Sequence, residues 1–245
     1  MIRFYFRPLP VFTIVCMLMF AALMSLGVWQ LHRLHWKLGL IAEVHDRMTL
    51  PPISLDKALS LGDAAQYHRV ALGGRFKNGE EIYVYTTGPH GGPAYHVLTP
   101  FVTDGGRMLL VDRGLVPVNR MNPAARAGGQ LEGERRIVGV WHSLDARGIF
   151  TPQPDLAHRV WYSPDVKSIA AAEHLKLAAD VLVEADAAPN PGGWPKGGQT
   201  VVTFRNEHMQ YALTWFGMAG GLLGVYLAFH ISRGRLGWRR RASRA

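Results

Sequence analysis

The chain has 245 residues, with 27 Lys and Arg against 18 Asp and Glu, a formal net charge of +9, and 48% hydrophobic and 18% charged residues. That apolar content excludes an intrinsically disordered chain. A single cysteine, Cys16, excludes an internal disulfide framework and a Cys-rich zinc or iron–sulfur site. The charge is not spread evenly. Every acidic residue lies between positions 43 and 207, and eight of the nine excess positive charges come from Arg3 and Arg7 at one end and Arg233, Arg235, Arg239, Arg240, Arg241 and Arg244 at the other. The stretch between is nearly neutral, which argues against a nucleic-acid partner, because a phosphate-tracking protein carries its basic surface on the folded domain.

Residues 1–8 read as a cytoplasmic tail. Residues 9–31 contain no Asp, Glu, Lys or Arg and consist mostly of Val, Phe, Ile, Leu, Met and Ala. About 20 helical residues cross a hydrocarbon core of roughly 30 Å, so this run predicts transmembrane helix one. It is longer than the core of a signal peptide and no A-x-A cleavage site follows, which favours an uncleaved anchor. No Arg-rich amphipathic transit segment precedes it, which favours a bacterial inner membrane over a mitochondrial one. Residues 32–208 form the expected extracytoplasmic domain, long enough to bury its own core. Runs at 69–72, 81–85, 96–101, 108–112, 136–141 and 180–184 read as strands separated by Gly, Pro and Asn clusters. One helix is predicted over 164–177, with Ser163 as its cap and Pro164 at its first position. Residues 185–200 read as an irregular loop, with Trp194-Pro195 placed to lean on the membrane surface. Residues 209–231 predict transmembrane helix two, and 232–245 an Arg-rich tail.

Because Lys and Arg favour the cytoplasmic side of a crossing, both termini are expected in the cytoplasm and the main domain in the periplasm. Arg33 and Lys37 oppose this orientation, but the six-Arg tail outweighs them. The expected fold class is a membrane α-helical hairpin plus an extracytoplasmic α+β domain, mainly antiparallel sheet or partly closed barrel. The chain carries no Gly-x-Ser-x-Gly elbow, no His-Glu-x-x-His pair and no cysteine outside the first apolar run, so no enzyme motif is recognised.

Four blocks carry a resemblance. They are Gly27-Val-Trp29-Gln30-Leu-His-Arg33-Leu-His-Trp36-Lys37; Arg69-Val70 with Gly74 and Phe76; Val111-Asp-Arg113-Gly114 with Val116-Pro117; and Asn206-Glu-His208-Met-Gln-Tyr211-Ala212-Leu-Thr-Trp215-Phe216. In this order, with apolar helices at both ends, the chain resembles the surfeit-locus family of cytochrome c oxidase assembly factors. One departure is Glu207, where the family often has a second Asn. The resemblance implies a membrane-bound, non-enzymatic factor that matures haem-copper oxidase, with haem a as the cofactor handled and the oxidase catalytic subunit and the lipid bilayer as partners.

The residues are compatible with that role. At about 100° per helical residue, with His208 as zero, Tyr211 falls at about 300°, Trp215 at about 340° and Ala219 at about 20°, one stripe below the outer boundary. Gly217, Gly221 and Gly224 fall on the opposite side, a smooth face that lets another helix approach. On helix one, Trp29, His32, Arg33 and Trp36 share a face. If the hairpin closes, the two stripes meet. His208 is then the expected axial ligand of the haem iron, Tyr211, Trp215 and Trp29 its walls, and Arg33, Lys37 or Arg205 partners for its propionates. His32 or His35 is the candidate second ligand. The competing reading is that these Trp, Tyr, His and Arg residues are ordinary interface anchors. His230, 22 residues further on and thus roughly 33 Å away, cannot share an iron with His208. His90 and His96 flank a Gly-Pro turn and read as turn or surface residues rather than a copper pair. Arg113 reads equally as a buried arginine holding a loop and as a partner contact.

Overall fold

The first apolar run does not stop where its composition changes. In a computed structural model, describing residues 2–89, 91–144, 148, 150–200 and 206–240, the elements begin β1 (Ile2–Phe6), α1 (Pro10–Thr49), β2 (Ile53–Ser54), α2 (Leu55–Leu61), β3 (Arg69–Phe76), β4 (Ile82–Thr87) and β5 (Pro93–Thr103). They continue β6 (Met108–Pro117), β7 (Arg135–His142), β8 (Val160–Trp161), α3 (Val166–Ala172), β9 (Leu177–Ala185), α4 (His208–Ser232) and β10 (Leu236–Arg240). The chain divides into two units, Met1–Glu43 with Thr203–Ala245, and Val44–Val202.

In the first unit, α1 has 40 residues, about 60 Å at 1.5 Å per residue. Residue 31 ends the apolar run but not the helix. His32 to Thr49 are mostly good helix formers, and no proline intervenes before Pro51-Pro52. α1 and α4 are both long and apolar enough to cross a membrane. They pair antiparallel. Thr13 Oγ1 meets the Tyr226 hydroxyl at 2.8 Å, the Phe216 ring lies over Gly27, and Gln30 meets His208. The shielded positions on α1 run 16, 20, 23, 27, 30 and on α4 212, 215, 219, 222, 226. Steps of four and three give a 3.5-residue period, the seam of two supercoiled helices. The glycine face of α4 is not part of it. Among the described residues, apart from the backbone of α4 itself, no heavy atom lies within 4 Å of where a Cβ would sit at Gly217, Gly220, Gly221 or Gly224. Close approach instead uses Gly27, Ala212 and Ala219, because interdigitating side chains at the seam period, rather than smoothness, decide which faces meet.

The expected tails are also structured: β1 and β10 form an antiparallel ladder from Ile2↔Arg240 to Phe6↔Leu236. Behind it His230 is fully buried, ringed by Phe6, Phe12, Tyr226 and Phe229.

In the second unit β3, β7, β9, β6 and β5 form a five-strand barrel, closed by pairing of β3 with β5. β4 and β8 extend from β5, and β2 adds to β3. Most pairings are antiparallel; β6–β9, β2–β3 and β4–β8 are parallel. Closure turns on Gly74, which pairs with Arg135 on one side and Thr103 on the other. Its φ is 154° and a Cβ there would collide with the Val102 carbonyl, so only glycine fits the corner. Trp141, Phe101, Leu109, Val111 and Val183 fill one cluster, and Leu98, Leu110, Leu182, Trp161 and Ile169 another.

All six expected strands are present, each longer than its apolar run. The expected helix over 164–177 is shorter. Asp165, not Ser163, caps α3, its Oδ1 accepting from the Ser168 N–H at 3.1 Å, and Leu177 already belongs to β9, where the sheet's hydrogen bonds outcompete an exposed helical turn. The 185–200 loop is pinned to the barrel by a bridge between Lys196 and Leu115. Trp194 does not lean outward. It packs on the cluster of Tyr83, Val97, Val116 and Val160, with the Lys196 ammonium 4.6 Å from its ring.

Candidate functional site

His208 opens α4 and is half-buried against α1. Its Nδ1 lies 2.8 Å from Oε1 of Gln30. An amide oxygen only accepts, so Nδ1 carries the proton and donates, which leaves Nε2 as a lone-pair nitrogen. Gln30 is 9% exposed and sits one seam step from Gly27, over which the Phe216 ring packs. Trp215 lies two turns along α4 and is half-buried, whereas Tyr211 is 51% exposed.

The expected stripe of α1 does not face His208. Trp29 and Trp36 are 55% and 53% exposed, and His32, Arg33 and His35 are exposed. The reason is rotational. With Gln30 on the seam, Trp29, Arg33 and Trp36 fall about 60–120° to one side, and His32 about 160° away. Arg33 stacks on Trp36, its guanidinium 4.0 Å from the ring centroid, and His35 Nδ1 bonds the Leu31 carbonyl at 2.8 Å. In an antiparallel pair the exposed flank holding Trp29 and Arg33 is also the flank to which Tyr211 turns. The structure therefore brings His208, Gln30 and Trp215 to the seam and sets Trp29, Arg33 and Tyr211 along one open side. His32 is excluded from that group. Arg205 and His90 lie outside the described residues.

The barrel holds a separate polar centre that the sequence did not announce. Glu81, 4% exposed, receives Arg126 Nη1 at 3.0 Å and Nη2 at 2.5 Å, Gln130 Nε2 at 3.0 Å and the Tyr83 hydroxyl at 2.9 Å. Burial pushes the Glu81 carboxyl up, but these hydrogen bonds and the Arg126 charge hold it below 4.5. Arg113, 2% exposed, lies 3.6 Å from Glu81. It donates to the Gly129 carbonyl and the Asn78 amide oxygen and lies over the Phe76 ring. Of the two readings open for Arg113, loop-holding is thus visible: it ties β6 to the segment before β7. Nearby, His96 is neither turn nor surface. It lies in β5 with Nδ1 2.6 Å from Asp112, and burial, which pushes its pKa down, is outweighed by that carboxylate, leaving it above 6.5. Among the described residues no group of three His, Cys, Asp or Glu is placed to hold a metal.

Two helices long and apolar enough to cross a membrane, in one chain with a closed α+β barrel, define the class of this protein. A sequence profile of the SURF1 family matches residues 17–220. Surfeit locus protein 1 of Takifugu rubripes is 33% identical over 229 residues, 87% of this chain and 94% of that protein. The human protein of the same name is 33% identical over 211 residues, 80% of this chain and 69% of its own length. A SURF1-like protein of Rickettsia felis is 29% identical over 220 residues, 88% of this chain and 95% of that protein. The chain belongs to the SURF1 family.

Gln30 and Glu81 are the residues that sequence reasoning missed. Gln30 stood inside a quoted block as an amide in an otherwise apolar helix, where an unpaired amide is costly; that was the available signal. Glu81 gave none, since its partners Arg126 and Arg113 are 45 and 32 positions away.

Proposed function

We propose that this protein is a membrane-anchored assembly factor for haem-copper cytochrome c oxidase, which binds haem a through His208 at the outer membrane boundary and delivers it to the oxidase catalytic subunit. The setting is the bacterial inner membrane, with both termini cytoplasmic and the barrel periplasmic. Family membership supports the role in oxidase assembly. The observation that supports a haem ligand is the Gln30–His208 hydrogen bond. Iron-binding histidines commonly donate their second ring N–H to an oxygen, which fixes the tautomer and ring plane, and here the nitrogen left over is Nε2. Trp215 offers a flat apolar wall, and Arg33 on the open flank offers a guanidinium for a carboxylate. With His32 turned away, this chain supplies one imidazole rather than two. A single axial ligand suits a carrier, because the cargo must leave.

The test is to purify the protein from cells that make haem a and record its absorption spectrum. His208→Ala loses the haem band, and Gln30→Ala retains part of it with at least a tenfold weaker affinity, the usual scale for removing an orienting partner. Equal occupancy in wild type and His208→Ala overturns the assignment. A second reading, a cofactor-free scaffold that holds an oxidase subunit during maturation, is favoured by one observation: a Cβ on the α4 glycine face would meet nothing within 4 Å among the described residues outside α4's own backbone. It predicts oxidase maturation that survives His208→Ala but not Gly221→Leu.

A further inference from the structure

The barrel domain carries a cleft of about 500 Å³ whose wall includes Arg69, Arg113, Arg135, Arg136 and Asp186, a size typical of small-molecule sites. Asp186 is taken by Arg69. No acidic side chain pairs with Arg135 or Arg136 among the described residues; Glu132 and Glu134, just before them, are exposed. Beneath lies the buried centre described above, where two guanidinium groups, Arg113 and Arg126, share the single carboxylate of Glu81. Both oxygens of Glu81 are engaged by Arg126, and Arg113 reaches it only at 3.6 Å. This cluster therefore holds one positive charge more than Glu81 neutralises, and an uncompensated buried charge is costly. Burial depresses the Arg113 pKa to about 10, with the Arg126 charge adding to it against Glu81.

The cleft is also elongated and graded. It reaches from Arg69 to Phe76 along β3, a span on the order of 20 Å at strand rise. Arg69, already neutralised by Asp186, sits at one end. At the other, Arg135 pairs with Gly74 across the ladder, close to Phe76, over which Arg113 is stacked. Between them the wall is apolar, with Ile137, Val138 and Pro189. Excess charge at one end and apolar wall along the rest match an organic carboxylate with an extended apolar body. We propose that this cleft is a binding site for such a carboxylate, its acid group received by Arg135, Arg136 and Arg113. The site is separate from His208, and it contains no histidine or cysteine to ligate iron.

The full-length protein in neutral-lipid nanodiscs, with empty discs subtracted, is titrated with phenylbutyrate, with its uncharged amide, and with metal-free coproporphyrin. Phenylbutyrate is expected to bind, to weaken as salt is raised, and to bind at least about tenfold better than the amide. Arg135 and Arg136 are exposed, so the Arg135→Gln/Arg136→Gln double variant folds, and it should lose about tenfold in affinity. Tighter binding of coproporphyrin identifies propionates as the fitting source of the carboxylate; equal affinities identify a simple acid. Equal binding of acid and amide, or wild-type affinity in the double variant, overturns the proposal. Coproporphyrin carries no iron for His208 to ligate, and an Arg33→Gln/His208→Ala control, which removes the carboxylate partner and the ligand of the proposed haem site, keeps failure of the two sites distinguishable.

Discussion

Gln30 in the helix pair and Glu81 in the barrel are both buried polar groups, 9% and 4% exposed, and they are satisfied differently. Gln30 makes one neutral bond to a ring that keeps a second nitrogen open. Glu81 accepts from Arg126, Gln130 and Tyr83, so both its oxygens are used. In the proposed membrane setting, a helix seam gains little from hydrophobic burial, and a polar pair there contributes little stability. A barrel core that seals charges inside has them fully paired or is destabilised. The two proposed sites use what these groups leave over: the second ring nitrogen of His208, and Arg113, which reaches Glu81 only at 3.6 Å.

The largest expected effect comes from breaking the barrel side. Glu81→Gln strands two buried guanidinium groups and should cost about 3–5 kcal/mol of stability, seen as a marked fall of the barrel transition in calorimetry of the whole chain. The same loss of charge at Asp56, whose partner Arg107 lies at 2.5 Å on the surface, should cost no more than about 1 kcal/mol. Comparable losses at both positions would erase the contrast.

On the helix side the equivalent lesion is steric. A Cβ at Gly27 collides with the Phe216 ring, so Gly27→Leu should destabilise the pair by about 1–3 kcal/mol, measured by steric-trap unfolding in bicelles. It should also displace Gln30, one turn further along α1, and lower haem occupancy alongside. Unchanged pairing would remove Gly27 from the seam.

These two lesions also mark what was legible in the sequence. The apolar runs, the six strands and the α+β class followed from local pattern, because alternation and hydrophobic length are properties of neighbours. The end of α1 did not, since a change from apolar to polar residues is a change of solvent and not of backbone. The seam did not either. Counting angles placed Trp29, His32 and Arg33 together, but which face of α1 meets α4 depends on Phe216 finding Gly27, a pairing nearly 190 positions apart. The same applies to β1 and β10, whose ladder joins the two ends of the chain. Residue type and helical position suffice to nominate His208 as a candidate; its hydrogen-bond partner Gln30 needed the fold.

A smaller effect separates the units by pH. The His96 pKa is raised above 6.5 by Asp112 against the opposing pull of burial. Protonated His96 is thus favoured in the folded barrel. Its contribution is complete below pH 6.5 and is lost as pH rises through the folded-state value. The barrel transition should fall as pH rises through that window above 6.5, and His96→Gln should flatten the dependence. A profile unchanged by His96→Gln would assign the titration elsewhere, with Glu184 and His142, paired at 2.7 Å nearby, the next groups to replace.

The smallest expected effect on stability falls on the α4 glycine face. Among the described residues, nothing outside α4's own backbone lies within 4 Å of a Cβ at Gly221, so Gly221→Leu should leave the helix pair within about 0.5 kcal/mol of wild type. Any helix-propensity gain from removing a glycine acts in the stabilising direction. The value of this variant lies in that silence. Steric-trap unfolding fixes the stability, and oxidase activity in membranes from cells carrying the variant reads the function. If stability and haem content hold while oxidase activity falls, the glycine face is where a partner helix seats, and carriage by His208 is joined by a docking role. If oxidase activity also holds, the glycine face carries no docking role, and the proposed haem site at His208 and Gln30 is the one proposal left to test on the helix pair.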